Sequence, residues 1–268
     1  MYELIVKGQR QRIGALVFDK DGTLLDMLSM WGTWSGYMHQ EFRHRLESRG
    51  LAARAADLAS LWGLMQDGNG EASGYDRQGP LAMGTMDELY TLLTWEGYRA
   101  GLSWGEAKQL VYACSRAADE AMERERPARL IGGAGAFLEQ CRAAGLPLAL
   151  VTADETGAAL RHLDWLGLDG VFDAVIGTDQ AERGKPFPDL LLLACSRLGI
   201  PPAQTAVIGD TNGDMMMGRA AGSPVRIALD LTAGGEDAAR PADPGGSFPD
   251  ATHLIRGYDQ LQLGCLVL

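Results

Sequence analysis

The chain has 268 residues, of which 46% are hydrophobic, and its 24 basic and 35 acidic side chains give a formal net charge of −11. This composition is typical of a globular chain with enough apolar residues for a sizeable core. The acidic balance excludes a broad basic surface, so we expect neither a nucleic acid nor a membrane as a partner. A small anionic ligand remains compatible if positive charge is concentrated locally.

The chain begins MYELIVKGQRQR, which lacks the apolar core of a secretory signal, and no apolar run approaches the ~20 residues that a membrane span requires. The four cysteines are scattered without a Cys-x-x-Cys pair, which argues against a zinc site or a disulfide framework. We therefore expect a cytoplasmic protein.

Short apolar runs with the pattern of buried strands recur along the chain. They occupy residues 13–18, 146–152, 172–179, 205–210 and 223–229. Segments with helical apolar spacing lie between or beside them, and most of these end in glycine, as helices often do. The alternation predicts an α/β fold, with a Rossmann-like parallel sheet covered by helices on both faces.

Residues 27–126 have a different pattern, with helix-like blocks and no convincing strand. One helical stripe of apolar side chains consists of Trp31, Trp34, Met38, Phe42 and Leu46. Capping boxes beginning at Thr85 and at Ser103 predict two further helices. We interpret this segment as an all-helical cap inserted into a catalytic core formed by residues 1–26 and 127–268.

Two Gly-rich stretches are predicted to be loops. Residues 67–80, between helices of the insertion, are too rich in glycine and polar residues for a regular element, and their length suggests a functional loop. Residues 234–250 are rich in Gly, Pro and Asp, which is typical of a mobile surface loop.

Polar side chains follow several of the predicted strands. Asp19 and Asp21 come after the first strand, Thr152 ends the second, and Asp210 follows the fourth. Because ligands of open parallel sheets bind beyond the carboxyl ends of the strands, we expect these groups to meet there. Strand alternation would turn Lys20 away from both acids, into core packing or a surface ion pair.

Two further residues complete an oxygen-rich set. Lys185 precedes a predicted helix start, and Asp214 lies four residues after Asp210. Several carboxylates with one lysine and one hydroxyl suit a hard divalent cation together with a phosphate, since Mg²⁺ commonly shares its oxygen ligands with substrate phosphate.

The chain resembles the haloacid dehalogenase superfamily, on its phosphatase side. The resemblance rests on four motifs in order: DKDGTLLD at 19–26, VT at 151–152, GKPFPD at 184–189 and GDTNGD at 209–214. Any one of them is weak, but together at strand ends they are highly specific. The general resemblance is to phosphoglycolate phosphatase-like enzymes.

The resemblance implies a role for each matching residue. Asp19 would be the nucleophile that forms an aspartyl-phosphate, and Asp21 the general acid and base. Thr152 and Lys185 would bind the phosphoryl oxygens. Mg²⁺ would be held by the Asp19 carboxylate, the Asp21 backbone carbonyl and Asp210, with Asp214 nearby or bridged by water. The partner implied is a small phosphorylated metabolite.

Some residues have a second interpretation. Asp214 also fits the third position of a helix capped by Thr211, and Thr152 could be a β-branched strand residue without a functional role. Family members commonly carry Asn or Ser after the threonine, whereas this chain has Ala153 and Asp154, and we expect Asp154 to cap the next helix. The histidines lack metal-binding spacing and are expected to be structural or solvated: His39, His44, His162 and His253.

The expected activity is hydrolysis of a phosphomonoester. Carbon–halogen and phosphonate cleavage are disfavoured because relatives with those activities lack an acid at the position of Asp21. Sugar-phosphate mutases of the superfamily usually carry Val where this chain has Thr23, so mutase activity is the enzymatic alternative. A catalytically weak phospho-ligand-binding regulator is the non-enzymatic one. Arg77, the basic residue of the 67–80 loop, is a candidate contact for a second anionic group of the substrate.

Overall fold

The computed structural model describes residues 1–55, 57–231 and 248–264. Its strands are β1 (Tyr2–Val6), β2 (Gln9–Ile13), β3 (Ala15–Phe18), β4 (Leu64–Gln66), β5 (Ala72–Tyr75), β6 (Leu148–Val151), β7 (Ala174–Ile176), β8 (Thr205–Gly209), β9 (Val225–Leu229), β10 (His253–Ile255) and β11 (Leu261–Gly264). Its α-helices are α1 (Thr33–Glu47), α2 (Pro80–Met83), α3 (Met86–Ala100), α4 (Trp104–Glu125), α5 (Ala134–Ala143), α6 (Thr156–Trp165), α7 (Asp189–Leu198) and α8 (Asn212–Ala221).

The chain divides into two compact units, which we call the core unit and the inserted unit. The core unit is Met1–Asp26 with Leu130–Leu268, and the inserted unit is Met27–Arg129. The second boundary therefore lies three residues beyond the position predicted from the sequence. Leu25 and Leu130 form an antiparallel bridge within the core unit, and the Ile131 N–H donates to the Leu24 carbonyl at 2.8 Å, so the chain segments on either side of the insertion are joined.

A parallel sheet of six strands, counted over the described residues, forms the centre of the core unit in the order β10-β9-β8-β3-β6-β7. Every neighbouring pair is parallel. After β3 the chain adds β6 and β7 on one side, then returns to place β8 on the other. The carboxyl ends of β3 and β8 therefore lie at the point where the strand order reverses, where open α/β sheets bind ligands.

Alternate residues of the sheet pack on opposite faces, as the period of a strand requires. Leu16 and Phe18 lie with side chains of α5 and α6 in one apolar cluster. Val17 lies with side chains of α7 and α8 in another. Helices thus cover both faces, and the predicted Rossmann-like α/β fold is confirmed.

A second, antiparallel sheet joins the two ends of the described core unit, in the order β11-β1-β2. Lys7 and Gly8 connect β1 to β2 with φ of +48° and +81°, the left-handed pair that a tight two-residue hairpin requires. Four of the five residues of β2 are Gln or Arg, so its sequence lacks the apolar alternation typical of a strand.

The inserted unit is mainly helical, and the predicted stripe and capping boxes are present. Trp34 is buried and stacks on Trp62 with ring centroids 5.3 Å apart. The side chains of Thr85 and Ser103 each cap a helix in a complete capping box. The description of this unit as all-helical is wrong in one respect, because β4 and β5 form an antiparallel hairpin.

The two predicted loops have different outcomes. Within 67–80, the strand β5 and the first residue of α2 are regular structure, so the interpretation of that stretch as a continuous loop is wrong. A four-residue strand paired only with its hairpin neighbour leaves too weak a pattern to recognise in the sequence. The loop predicted at 234–250 lies outside the described residues apart from 248–250.

In the part of the chain that is described, no helix has both the length and the apolar character needed to cross a membrane.

Candidate active site

The turn after β3 places Asp19 and Asp21 beyond the end of the sheet. The Asp19 N–H still donates to the Ile208 carbonyl of β8 at 2.8 Å, so Asp19 is fixed to the neighbouring strand. Gly22 then has a φ of +77°, which non-glycine residues rarely adopt, and the chain turns sharply. A Cβ at Gly22 would lie 2.1 Å from Oδ2 of Asp210, so the turn and the end of β8 are in close contact.

Asp214 caps helix α8, as one of its two interpretations predicted, and it also contacts Lys185. Its Oδ2 accepts hydrogen bonds from the Thr211 backbone N–H at 3.1 Å and the Thr211 hydroxyl at 2.6 Å, which completes a capping box at the start of α8. Its Oδ1 lies 2.6 Å from Nζ of Lys185. The helix cap thus holds a carboxylate that also faces the strand ends.

Asp19, Asp210 and Asp214 form a buried group whose carboxylate oxygens can all lie within 4.8 Å of one another. Burial raises the pKa of Asp19 to about 7, against the effect of Lys185, and repulsion from Asp214 and Asp21 adds to the rise. Buried carboxylates at this spacing need a cation, and an all-oxygen donor set suits a hard divalent ion such as Mg²⁺. The residues present therefore fit a magnesium site.

Lys185 supplies positive charge to this group from the segment before α7. Its ammonium forms ion pairs with the carboxylates of Asp19 and Asp214. Burial alone would lower the pKa of Lys185, but the two carboxylates outweigh it and raise the pKa, so the side chain stays charged. A charged lysine beside Asp19 is suited to binding a phosphoryl oxygen.

Thr152 lies at the end of β6, next to the second acid. Its hydroxyl donates to Oδ2 of Asp21 at 3.5 Å and accepts a hydrogen bond from the Asp154 backbone N–H at 3.1 Å. The structure therefore brings Thr152 to Asp21 and Lys185 to Asp19. All six predicted core residues lie at the carboxyl edge of the sheet: Asp19, Asp21, Thr152, Lys185, Asp210 and Asp214.

The expectation that Lys20 faces away from the acids is wrong. Lys20 is completely buried, and its Nζ lies 3.0 Å from Oδ2 of Asp21 and 3.1 Å from Oδ2 of Asp154. Because β3 ends at Phe18, strand alternation does not continue through Lys20 into the turn. Burial alone would lower the pKa of Lys20, but the Asp21 and Asp154 carboxylates raise it.

The expected N-cap role of Asp154 is also wrong. Helix α6 begins after Glu155, whose side chain makes no capping hydrogen bond, while Asp154 turns to Lys20. His162 of α6 is buried, and its Nδ1 lies 2.9 Å from Nζ of Lys20. The sequence places a lysine between the two acids and an acid two residues after Thr152, but no local pattern links one to the other.

Arg77 lies in the inserted unit, in a turn closed by a hydrogen bond from the Gly79 N–H to the Asp76 carbonyl at 2.9 Å. It is half-buried. Its contact with substrate stays a prediction.

Comparison with known proteins decides the family. The sequence model of one family, described as haloacid dehalogenase-like hydrolase, matches residues 13–222. The chain belongs to the haloacid dehalogenase-like hydrolases. The match contains the whole inserted unit and all the carboxylates of the site, so the haloacid dehalogenase-like hydrolase assignment covers both units.

One curated relative, the phosphoglycolate phosphatase of Escherichia coli (strain K12), is 42% identical over 83 residues. Those residues are 31% of this chain and 33% of the relative, so the chain spans about a third of the length of that relative.

Two solved structures cover most of the chain. The putative β-phosphoglucomutase from Thermotoga maritima has a TM-score of 0.60 at 20% identity, covering 92% of this chain and 96% of that chain. A predicted phosphoglycolate phosphatase from Haemophilus somnus 129PT has a TM-score of 0.60 at 21% identity, covering 82% and 86% respectively. At these identities the likeness shows the fold alone: this chain has the same fold as those two proteins.

Proposed function

We propose that the protein is a Mg²⁺-dependent phosphatase that hydrolyses a small phosphomonoester through an aspartyl-phosphate on Asp19. The observation that carries this proposal is the pairing of the buried Asp19 carboxylate with the Lys185 ammonium at the reversal point of the sheet. A carboxylate there can attack phosphorus only if its own charge and that of the phosphate are offset.

The metal would be held by the carboxylates of Asp19 and Asp210 and by the backbone carbonyl of Asp21, with Asp214 nearby. Bound Mg²⁺ would offset the repulsion between the Asp19 carboxylate and the phosphate dianion. This assignment is supported by a donor set made only of oxygen atoms. It is also supported by charge, because the negative charge of the three clustered carboxylates exceeds the positive charge of Lys185.

The residues of the chain then divide the reaction into two steps. In the first, a carboxylate oxygen of Asp19 bonds to phosphorus, the bond to the leaving oxygen breaks, and Asp21 gives its proton to that oxygen. In the second, Asp21 takes a proton from a water molecule that attacks the same phosphorus. The bond between phosphorus and the Asp19 oxygen breaks, so inorganic phosphate leaves, Asp19 is again a carboxylate and Asp21 is again protonated.

Thr152 and Lys185 would bind the oxygens that do not react. Lys185 contacts Asp19 directly, so a phosphoryl group placed on Asp19 would lie within reach of the ammonium. The Thr152 hydroxyl contacts Asp21, which links phosphate binding to the acid and base.

The test is turnover of p-nitrophenyl phosphate with Mg²⁺ and with EDTA, together with a panel of natural phosphomonoesters. We expect metal-dependent release of inorganic phosphate that is abolished in Asp19→Asn. Asp164→Asn, which changes an exposed carboxylate on α6, is the matched control and should keep wild-type activity.

Three results would contradict the proposal in different ways. Failure of the wild-type protein on every substrate would favour a phospho-ligand-binding regulator. Transfer of phosphate to a second hydroxyl, without phosphate release, would identify a mutase. Retained activity in Asp19→Asn would exclude Asp19 as the nucleophile.

The substrate panel should include 2-phosphoglycolate because a partial relative is named a phosphoglycolate phosphatase. Such a substrate carries a second anionic group, and Arg77 is the residue proposed to contact it. If Arg77 has this role, Arg77→Ala lowers kcat/KM for the best doubly anionic substrate and leaves p-nitrophenyl phosphate unaffected.

A further inference from the structure

A buried polar cluster lies behind the proposed general acid and base. We call Lys20, Asp154 and His162 the lysine cluster. Lys20 is completely buried, and Asp154 and His162 are almost so. The three groups belong to different parts of the core unit, namely the turn after β3, the segment after β6, and α6.

The ammonium of Lys20 has three donors, and each of them has an acceptor within reach, two in the lysine cluster and one on Asp21. These are Oδ2 of Asp154 at 3.1 Å, Nδ1 of His162 at 2.9 Å and Oδ2 of Asp21 at 3.0 Å. Burial, together with the charge of Lys20 and of Arg161, lowers the pKa of His162 to about 2. His162 is therefore neutral and accepts at Nδ1, which fixes its other ring nitrogen as the protonated one.

The contacts of the Lys20 ammonium with Asp154 and His162 determine where its third N–H points. Asp154 and His162 hold the ammonium from the side of α6, so the remaining donor points at Asp21. Thr152 donates to the same oxygen of Asp21, and its own hydroxyl is held by the Asp154 N–H. Asp154 therefore supports both donors that reach the Asp21 carboxylate.

We propose that Lys20, held by Asp154 and His162, is a positioning residue that orients the Asp21 carboxylate for proton transfer to the leaving oxygen. The proposal rests on the proposed function, since it presumes that Asp21 is the acid. It explains why a buried lysine and an additional buried aspartate lie beside a phosphate site: each neutralises the other, and their shared hydrogen bonds reach Asp21.

The competing explanation is that the cluster only ties α6 to the sheet. Leaving-group dependence separates the two, because p-nitrophenolate departs without a proton far more easily than phenolate does. kcat/KM reports the steps through phosphoryl transfer, in which Asp21 acts as an acid. A smaller folded fraction lowers kcat/KM for both esters by the same factor and leaves their ratio unchanged.

The experiment measures kcat/KM for p-nitrophenyl phosphate and for phenyl phosphate, which are closely similar in shape. In Lys20→Met we expect about a tenfold or larger loss with phenyl phosphate, within the range that general acid catalysis supplies, and a clearly smaller loss with p-nitrophenyl phosphate. Lys7→Met, which removes an exposed lysine from the β1–β2 turn, is the matched control and should leave the ratio unchanged.

A second comparison protects the test against misfolding and indirect effects. The variant Lys20→Met/Asp154→Asn removes the buried cation together with one of its counter-charges, and we expect it to show the same change in ratio. In an Asp21→Asn background, Lys20→Met should add no further change, because the two residues act through one proton.

The outcomes are distinct for the two proposals. A wild-type protein without metal-dependent turnover contradicts the proposed function itself. The positioning role alone is overturned if the wild type is active and Lys20→Met lowers kcat/KM equally for both esters. It is also overturned if Lys20→Met lowers kcat/KM for neither ester. A further ratio change in the Asp21→Asn background would also overturn it.

Discussion

Replacing Gly22 by alanine tests whether the turn after β3 and the end of β8 form one unit. Gly22 has a φ of +77°, and an added Cβ would lie 2.1 Å from Oδ2 and 2.5 Å from Cγ of Asp210. The left-handed conformation alone costs about 1–2 kcal/mol for a residue with a Cβ. The contact then forces either the Asp210 carboxylate or the turn to move.

Gly8→Ala is the matched control for the backbone cost. Gly8 has a φ of +81°, but nothing lies within 4 Å of an added Cβ. At about 2–4 °C per kcal/mol for a domain of this size, the backbone cost predicts a fall in Tm of about 2–8 °C in each variant. Only Gly22→Ala should also weaken Mg²⁺ binding, by about 10–100-fold, as changes beside metal ligands commonly do.

The assay is thermal unfolding over a Mg²⁺ titration, because a ligand bound by the folded state raises Tm with its concentration. We expect Gly22→Ala to need a higher Mg²⁺ concentration for the same rise in Tm, while Gly8→Ala follows the wild type. If the two variants lose the same Tm and respond alike to Mg²⁺, the contact between Gly22 and Asp210 does not govern the metal site.

Two further predictions concern the inserted unit. Burial, with help from Arg43, lowers the pKa of His39 to about 3. Below about pH 6.5 the unfolded chain therefore binds a proton that the folded chain does not, and the unfolding free energy falls as the pH drops, by about 1.4 kcal/mol per unit from this residue. Urea titrations between pH 7 and pH 4 should show that slope reduced in His39→Gln; an unchanged slope would contradict the assignment. Ser103→Ala removes the capping box of α4 and should lower the unfolding free energy by about 1 kcal/mol, with a loss near zero arguing that the cap adds nothing.

The sequence predicted the elements whose pattern is complete within a short stretch. Strand β3 and the apolar helical stripe through Trp34 were recognised because burial imposes a regular spacing on the apolar residues of a strand or helix. The capping boxes at Thr85 and Ser103 are likewise local, since both partners lie within one helical turn. The positions of Asp19 and Asp210 followed from a general rule about strand ends.

The sequence failed where the deciding partner is far along the chain. Lys20 is paired with Asp154, 134 residues away, and neither residue shows a local pattern that requires the other. The polar strand β2 is held by its hairpin with β1 in a small sheet, so its own side chains carry little apolar signal. The roles of Asp21 and Thr152 in catalysis stay predictions that only activity measurements can test.

The bridge between Leu25 and Leu130 bears on whether the inserted unit can be replaced by another segment. The core unit holds both ends of the insertion side by side through its own hydrogen bonds. These hydrogen bonds offset the entropy cost of bringing the two ends of this long loop together. We therefore expect a change in the length or sequence of residues 27–129 to leave the register of the sheet unchanged. Such a junction allows different inserted units to be exchanged on one chemical core, and joining residue 26 to residue 130 through a turn of about two to five residues should leave the parallel sheet folded.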